Sequence, residues 1–84
     1  MKEVDKILRD LSNGEFKITE HAFIRMGERD VSFMDIVNVG ITASHWFWND
    51  QHKAHNIQGL DESGSKLTVS CVLKNETLII TVFY

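Results

Sequence analysis

The amino-acid sequence predicts an α+β fold, with N-terminal helices packed on one face of a three- to four-stranded antiparallel sheet. Three observations carry this. Apolar residues recur at helical spacing through the first half of the chain. After Ser44 the period changes to two. The last two apolar runs then mirror each other about Asn75-Glu76. With 84 residues the chain forms one small domain, residues 1–84, with a modest core.

Each element follows from local signals. In "EVDKILRDLS", Val4, Ile7, Leu8 and Leu11 fall on one helical stripe, and Asn13-Gly14 supplies a left-handed stop. "EFKIT" reads as a short strand or an extended link. Thr19 is a good N-cap for a second helix, with Glu20 placing a negative charge on its first turn. That helix stops near Asp30. In it, Ala22, Met26 and Phe23 are expected to meet the sheet, while His21, Arg25, Glu28 and Arg29 face outward. Ser32, with Asp35 three residues on, announces a third helix, "FMDIVNVGITA", apolar over most of its circumference apart from a strip of Asp35, Asn38 and Thr42.

The strands follow. "HWFWN" is aromatic, "HNIQGLD" is weaker, and "ESGS" is a turn cluster with Gly64 free to take a positive φ. "KLTVSCVLK" and "TLIITVFY" alternate. A two-residue turn at Asn75-Glu76 pairs Leu73 with Leu78, Cys71 with Ile80, Val69 with Val82 and Leu67 with Tyr84, all on one face. That register places Ile80 in the core.

Composition limits the function. No window is apolar and long enough to span a bilayer, and the N-terminus carries charges among its apolar positions, unlike a signal peptide. A single cysteine, Cys71, suits a reducing compartment, so a cytoplasmic protein is expected. The net charge of −3 means that any polyanion site must be local or completed by a partner. There is no glycine-rich phosphate loop and no Ser-His-Asp ordering, and no cofactor is expected. His52 and His55 lie three apart, but on a strand they point to opposite faces, and Cys71 sits in an apolar alternation. Hence no metal site is expected either.

The chemistry-bearing stretch is "ITEHAFIRMGERD". Four-residue steps advance about 40° around a helix, so His21, Arg25 and Arg29 form one slanted row. One reading is a solvated face with a Glu-Arg pair. The other is an anion site: His21 moves a proton, and the guanidinium groups grip phosphate and stabilise a charged transition state. A strand residue, His55, Lys53 or Tyr84, would complete it. Two arrangements separate these readings. A concave pocket shared by His21, Arg25 and a strand residue favours catalysis. Arginines already paired with Glu28 or Asp30 favour a binding module.

"TEHAFIRMGERDVS" resembles the signature His-Ala-x-x-Arg-Met-x-x-Arg-Gly-Ile-Ser of a bacterial family of small domains of unknown function. The likeness spans roughly residues 16–84 and includes the following helix, the aromatic strand and the terminal hairpin. It departs at Asp30, where the family has glycine. Members resemble RelE-like and MqsR-like toxin ribonucleases in layout, close also to barnase, and some are encoded beside zinc-finger antitoxins. The resemblance implies metal-independent RNA cleavage in a toxin–antitoxin setting, with a cognate antitoxin or other protein as partner. It carries His21, Arg25 and Arg29 over as signature residues, and His55 and Tyr84 are the strand candidates beside them. The alternative is a non-catalytic protein-interaction module of the same fold. Trp46, Phe47 and Trp48 cannot all point inward on a strand, so either this segment binds RNA bases or a protein, or forms a homodimer around Trp46 and Trp48, or the N-terminal helix covers the far face of the sheet.

Overall fold

A computed structural model describes residues 3–84. Three helices, α1 (Glu3–Asn13), α2 (Glu20–Arg29) and α3 (Phe33–Thr42), accompany five strands: β1 (Phe16–Ile18), β2 (His45–Asn49), β3 (Ala54–Leu60), β4 (Lys66–Lys74) and β5 (Glu76–Phe83). The strands form one sheet in the order β1-β5-β4-β3-β2. The α+β layout with helices on the sheet is therefore present. The sheet, however, has five strands instead of three or four, and it is mixed, because β1 runs parallel to β5. "FKI" is only three residues long and lacks a periodic signal of its own; its pairing with the chain's last strand is a long-range event that local pattern does not encode.

The caps form as the local chemistry requires. Thr19 Oγ1 accepts from Ala22 N–H at 3.2 Å and donates to Ile79 C=O at 2.7 Å, which ties the start of α2 to β5. Asp30 closes α2 in the left-handed conformation at φ 56°. Ser32 and Asp35 form a reciprocal capping box. Gly14, at φ 72°, lets the chain leave α1, and its N–H donates to Leu11 C=O.

Ile7 and Leu11 of α1, Ala22 and Met26 of α2, and Ile36 and Val39 of α3 pack on Ile57, Leu67, Val69, Cys71, Ile79 and Val82 of the sheet. Asp10 also turns inward, where it accepts from Lys6 Nζ and Thr77 Oγ1, each at 2.9 Å. Burial, the largest single influence, raises its pKa, but the hydrogen bonds from Lys6 and Thr77 together with the positive charges of Lys6 and Arg9 outweigh it and hold the carboxyl below its ordinary range. Phe23 does not meet the sheet; it is 70% exposed, since α2 lies along β5 with only its Ala22–Met26 stripe inward. The polar strip of α3 is not a solvated face either. Asn38 Nδ2 donates to the carbonyls of Leu60 and Asp61, Thr42 Oγ1 accepts from Leu60 N–H, and Asp35 Oδ1 accepts from Glu62 N–H. The strip fastens α3 to the end of β3 and the loop after it.

The β4–β5 hairpin corrects the predicted register. Lys74 pairs with Glu76 across a single left-handed residue, Asn75 at φ 66°. Leu73 therefore faces Thr77, Val72 faces Leu78, and Cys71 faces Ile79. A bulge then shifts the ladder between Ser70 and Cys71, leaving Ile80 as the extra residue and restoring Val69 opposite Val82. The pairs Leu73–Leu78 and Cys71–Ile80 do not form, and the ladder ends at Thr68–Phe83, one residue short of Leu67–Tyr84. Two one-residue irregularities cancel over the hairpin, so the far end keeps the expected pairing while the middle exchanges faces. Ile79 is completely buried under the helices, whereas Ile80 lines the opposite face and is only partly buried.

This assigns opposite outcomes to neighbouring residues. Ile79→Asp places an unpaired charge in the core and should cost on the order of 3–5 kcal/mol, enough to unfold so small a domain. Ile80→Asp, on the helix-free face, should leave most of the stability intact. Thermal melts of both variants check this, and equal losses would mean that the bulge is absent.

Candidate functional site

The sheet has two unlike faces. Cross-strand partners share a face, so the register rows Phe47–Asn56–Ser70–Thr81 and His45–Gln58–Thr68–Phe83 lie on the side away from the helical core. This face is rich in amides and hydroxyls. Among the described residues no helix lies flat on it, yet Asn56, Ser70 and Thr68 are all buried. Ser70 Oγ donates to Asn56 Oδ1 at 2.7 Å. Thr68 lines a cavity of about 410 Å³ with His45, Gln58 and Phe83, and Ser70 lines a separate cleft.

One cavity of about 340 Å³ opens here, lined by His21, Asn49, His52, Ala54, Ser70, Ile80, Thr81 and Phe83. His21 comes from the first turn of α2, beside β5. His52 comes from the turn between β2 and β3, at the other flank of the sheet. His21 and His52, from opposite flanks of the sheet, thus both line one concave space together with Ser70 and Thr81. A cavity with a few converging polar groups among apolar walls is the usual form of a small-molecule or nucleotide site. The sequence offered His52 only as half of a metal pair with His55. Its membership of the cleft depends on the lateral span of the sheet, which spacing along the chain does not reveal.

The other predicted residues go elsewhere. Arg25 Nη1 binds Glu28 Oε1 at 2.7 Å, and Arg29 Nη1 lies 3.6 Å from the same oxygen. One carboxylate thus holds both guanidinium groups, the arrangement that favours a binding module. Arg29 lines a different, acidic depression with Asp30, Asp35, Asp61 and Glu62. His55 is on the helix-bearing face, where its Nε2 is 3.1 Å from Glu3 Oε1 and its ring stands edge-on to Trp48 at 4.9 Å. Lys53 pairs with Asp50 at 3.0 Å. Of the five predicted residues, Arg29 and Tyr84 share the acidic depression, whereas His21 and His55 line two other cavities, so the five do not gather around one pocket.

Tyr84 has a structural contact of its own. Its hydroxyl donates to Asp61 Oδ2 at 2.7 Å, while Asp61 Oδ1 accepts from Ser63 N–H, Ser63 Oγ and Ser65 N–H. This carboxylate shapes the β3–β4 loop and ties the last residue to it. Led by the Tyr84 hydrogen bond, these donors draw the Asp61 pKa down to about 2; the same bond pushes Tyr84 up to about 12. Cys71 is buried in the core, which pushes its thiol to about 12 and leaves no thiolate for chemistry.

The third surface is β2, the outer strand of the sheet. Trp46 pairs with Ile57 and Trp48 with His55, so both tryptophans lie on the helix-bearing face; Phe47 pairs with Asn56 on the cleft face. Trp46, Phe47 and Trp48 are 47%, 48% and 49% exposed. The N-terminal end of α1 reaches the tryptophans through Glu3 and Val4 without covering them. Among the described residues no helix is long and apolar enough to cross a membrane. Comparison with known proteins returns no match: no family model, no curated protein and no solved structure.

The Asp61–Tyr84 contact has a pH signature. A carboxylate whose pKa is lowered on folding stabilises the fold above its unfolded value near 4, and that stability is lost as the pH falls toward 2. A phenol whose pKa is raised stabilises below about 10, and that stability is lost as the pH rises toward 12. Tyr84→Phe should therefore lower the melting temperature at neutral pH and flatten its pH dependence in both windows. Parallel melting curves for variant and wild type across pH 2 to 12 would contradict the assignment.

Proposed function

We propose that this chain is a non-catalytic protein-interaction module that docks through the aromatic edge strand β2. The observation that carries this reading is the simultaneous half-exposure of Trp46, Phe47 and Trp48 on a sheet edge. Large apolar side chains grouped on such an edge indicate a surface that is covered in use. The acidic balance of the chain and the capture of Arg25 and Arg29 by Glu28 support a protein over a polyanion as the partner.

A second reading, ribonuclease action in a toxin–antitoxin pair, draws support from the cleft instead of the arginine row. His21 and His52 on opposite flanks of one cavity suit transfer of a proton from an attacking hydroxyl to one imidazole, and from the other imidazole to a leaving oxygen. Arg25 lies one turn from His21. Its pair with Glu28 is exposed, contributes about 0–1 kcal/mol, and is open to displacement by phosphate.

One set of measurements separates the two. A photoreactive side chain at position 47 in the intact protein should give one protein adduct of fixed mass. The adduct should vanish in the Trp46→Ser, Trp48→Ser background and should not form from position 41, which is exposed on α3. Purified wild type should leave a mixed RNA pool intact. Cleavage that is lost in both His21→Ala and His52→Ala would overturn the module and assign the function to the cleft.

A further inference from the structure

Resting on the reading of β2 as a docking edge, we propose that its occupant is a second copy of the chain, joined by antiparallel pairing of β2 with β2 about a two-fold axis through Phe47. The segment His45-Trp46-Phe47-Trp48-Asn49 is palindromic in its aromatic centre. An isologous interface requires a patch complementary to itself, and a two-fold antiparallel strand pair requires that symmetry about its central residue. With Phe47 on the axis, Phe47 meets its own copy, Trp46 meets Trp48 twice, and His45 meets Asn49 twice.

The faces agree with this register. A two-fold axis perpendicular to the sheet keeps each face on its own side. The four tryptophans then form one cluster on the helix-bearing side, and the two Phe47 rings meet on the cleft side. Neither Trp nor Phe has to cross the sheet. Charge agrees as well: β2 contains no Asp, Glu, Lys or Arg, and the first acid beyond it, Asp50, falls opposite Ser44 of the other copy. Two copies of an acidic chain therefore meet without like charges in the ladder.

The opposite edge supplies a contrast within the same molecule. β1 has three residues with Lys17 at its centre, exposed and 3.7 Å from Glu76, features that discourage sheet extension. β2 has five residues, no charge, no proline and an unbroken ladder to β3. It leaves its outer backbone donors and acceptors, and three aromatic rings, available.

Area sets the strength. Half-exposed aromatics offer roughly 100 Å² each, so the three give roughly 300 Å² per copy before backbone and flanking residues, against about 800 Å² per partner in a standard interface. The dimer is accordingly reversible, with dissociation on the order of micromolar or weaker.

Sedimentation velocity of the full chain from micromolar to millimolar concentration should show conversion from one to two copies. Phe47→Lys, which sets two ammonium groups on the axis, should remain at one copy throughout with an unchanged circular dichroism spectrum. Cysteine placement tests the register. Only an axial residue sits beside itself, so Phe47→Cys should form a disulfide-linked dimer under mild oxidation, and His45→Cys should form at least tenfold less. The native Cys71 is buried and does not compete. Wild type that stays at one copy to millimolar concentration, or equal crosslinking from positions 45 and 47, would overturn the proposal. The mass of the photo-adduct from position 47 separates its failure from that of the docking edge. Twice the chain mass supports the second copy. The chain plus a different protein keeps the edge and rejects the second copy, and no adduct rejects both.

Discussion

The fold depends on how closely α3 approaches its neighbours on two sides. A Cβ at Gly40 would lie 2.6 Å from Leu11 Cβ and 2.6 Å from Ser12 N in α1; a Cβ at Gly59 would lie 2.6 Å from Val39 C=O and 2.9 Å from Thr42 Oγ1. Side chains are absent at these two points because backbone occupies the space. α3 is thus pressed between α1 and β3, with Ile36 and Val39 filling the core between them. The Asp35–Asn38–Thr42 strip then bonds the rim of the same helix to Leu60, Asp61 and Glu62. Apolar contact fixes the depth of α3, and directed hydrogen bonds fix its rotation.

With α1, α2 and α3 committed to one face, no helix among the described residues is left to cover the other. Its composition answers that condition. Thr68, Ser70, Asn56 and Gln58 occupy its centre where a buried sheet would carry valine and isoleucine. The bulge at Ile80 belongs to the same arrangement. It turns one isoleucine toward the cleft while keeping Ile79 and Val82 inward, so β5 serves the core and the cavity at once. Bulges commonly re-aim a side chain in this way beside a functional surface.

Much of this was legible in the sequence because much of it is local. Thr19, Ser32 and Asp30 cap helices by contacts within a few residues, and the strand β4 declares itself by alternation. The parts that were not legible arise where distant segments meet. Phe23 has the right residue type for the core, but the direction of α2 along β5 turns it to solvent. β1 exists because β5 pairs with it. Ile80 reads as core until one left-handed residue at Asn75 changes the parity of the strand. For the candidate sites the same rule holds. His21 was visible from its position in a motif, but its neighbour His52 is set by the width of a four-strand span from β5 to β2. Helical spacing sets His21, Arg25 and Arg29 in one row with Glu28 beside it; that a single Glu28 oxygen lies within ion-pair reach of both guanidinium groups depends on side-chain conformation, which spacing does not give.

Phe47 lies in the same register row as Asn56, Ser70 and Thr81, while its neighbours Trp46 and Trp48 lie across the sheet with His55. Anything that pairs with the β2 backbone therefore extends the cleft face on one side and covers the tryptophans on the other. Asn49, at the end of the same strand, lines the cavity directly, and its Oδ1 accepts from His52 N–H at 3.2 Å. The edge strand and the cavity therefore share Asn49, and the turn that carries His52 begins where that strand ends.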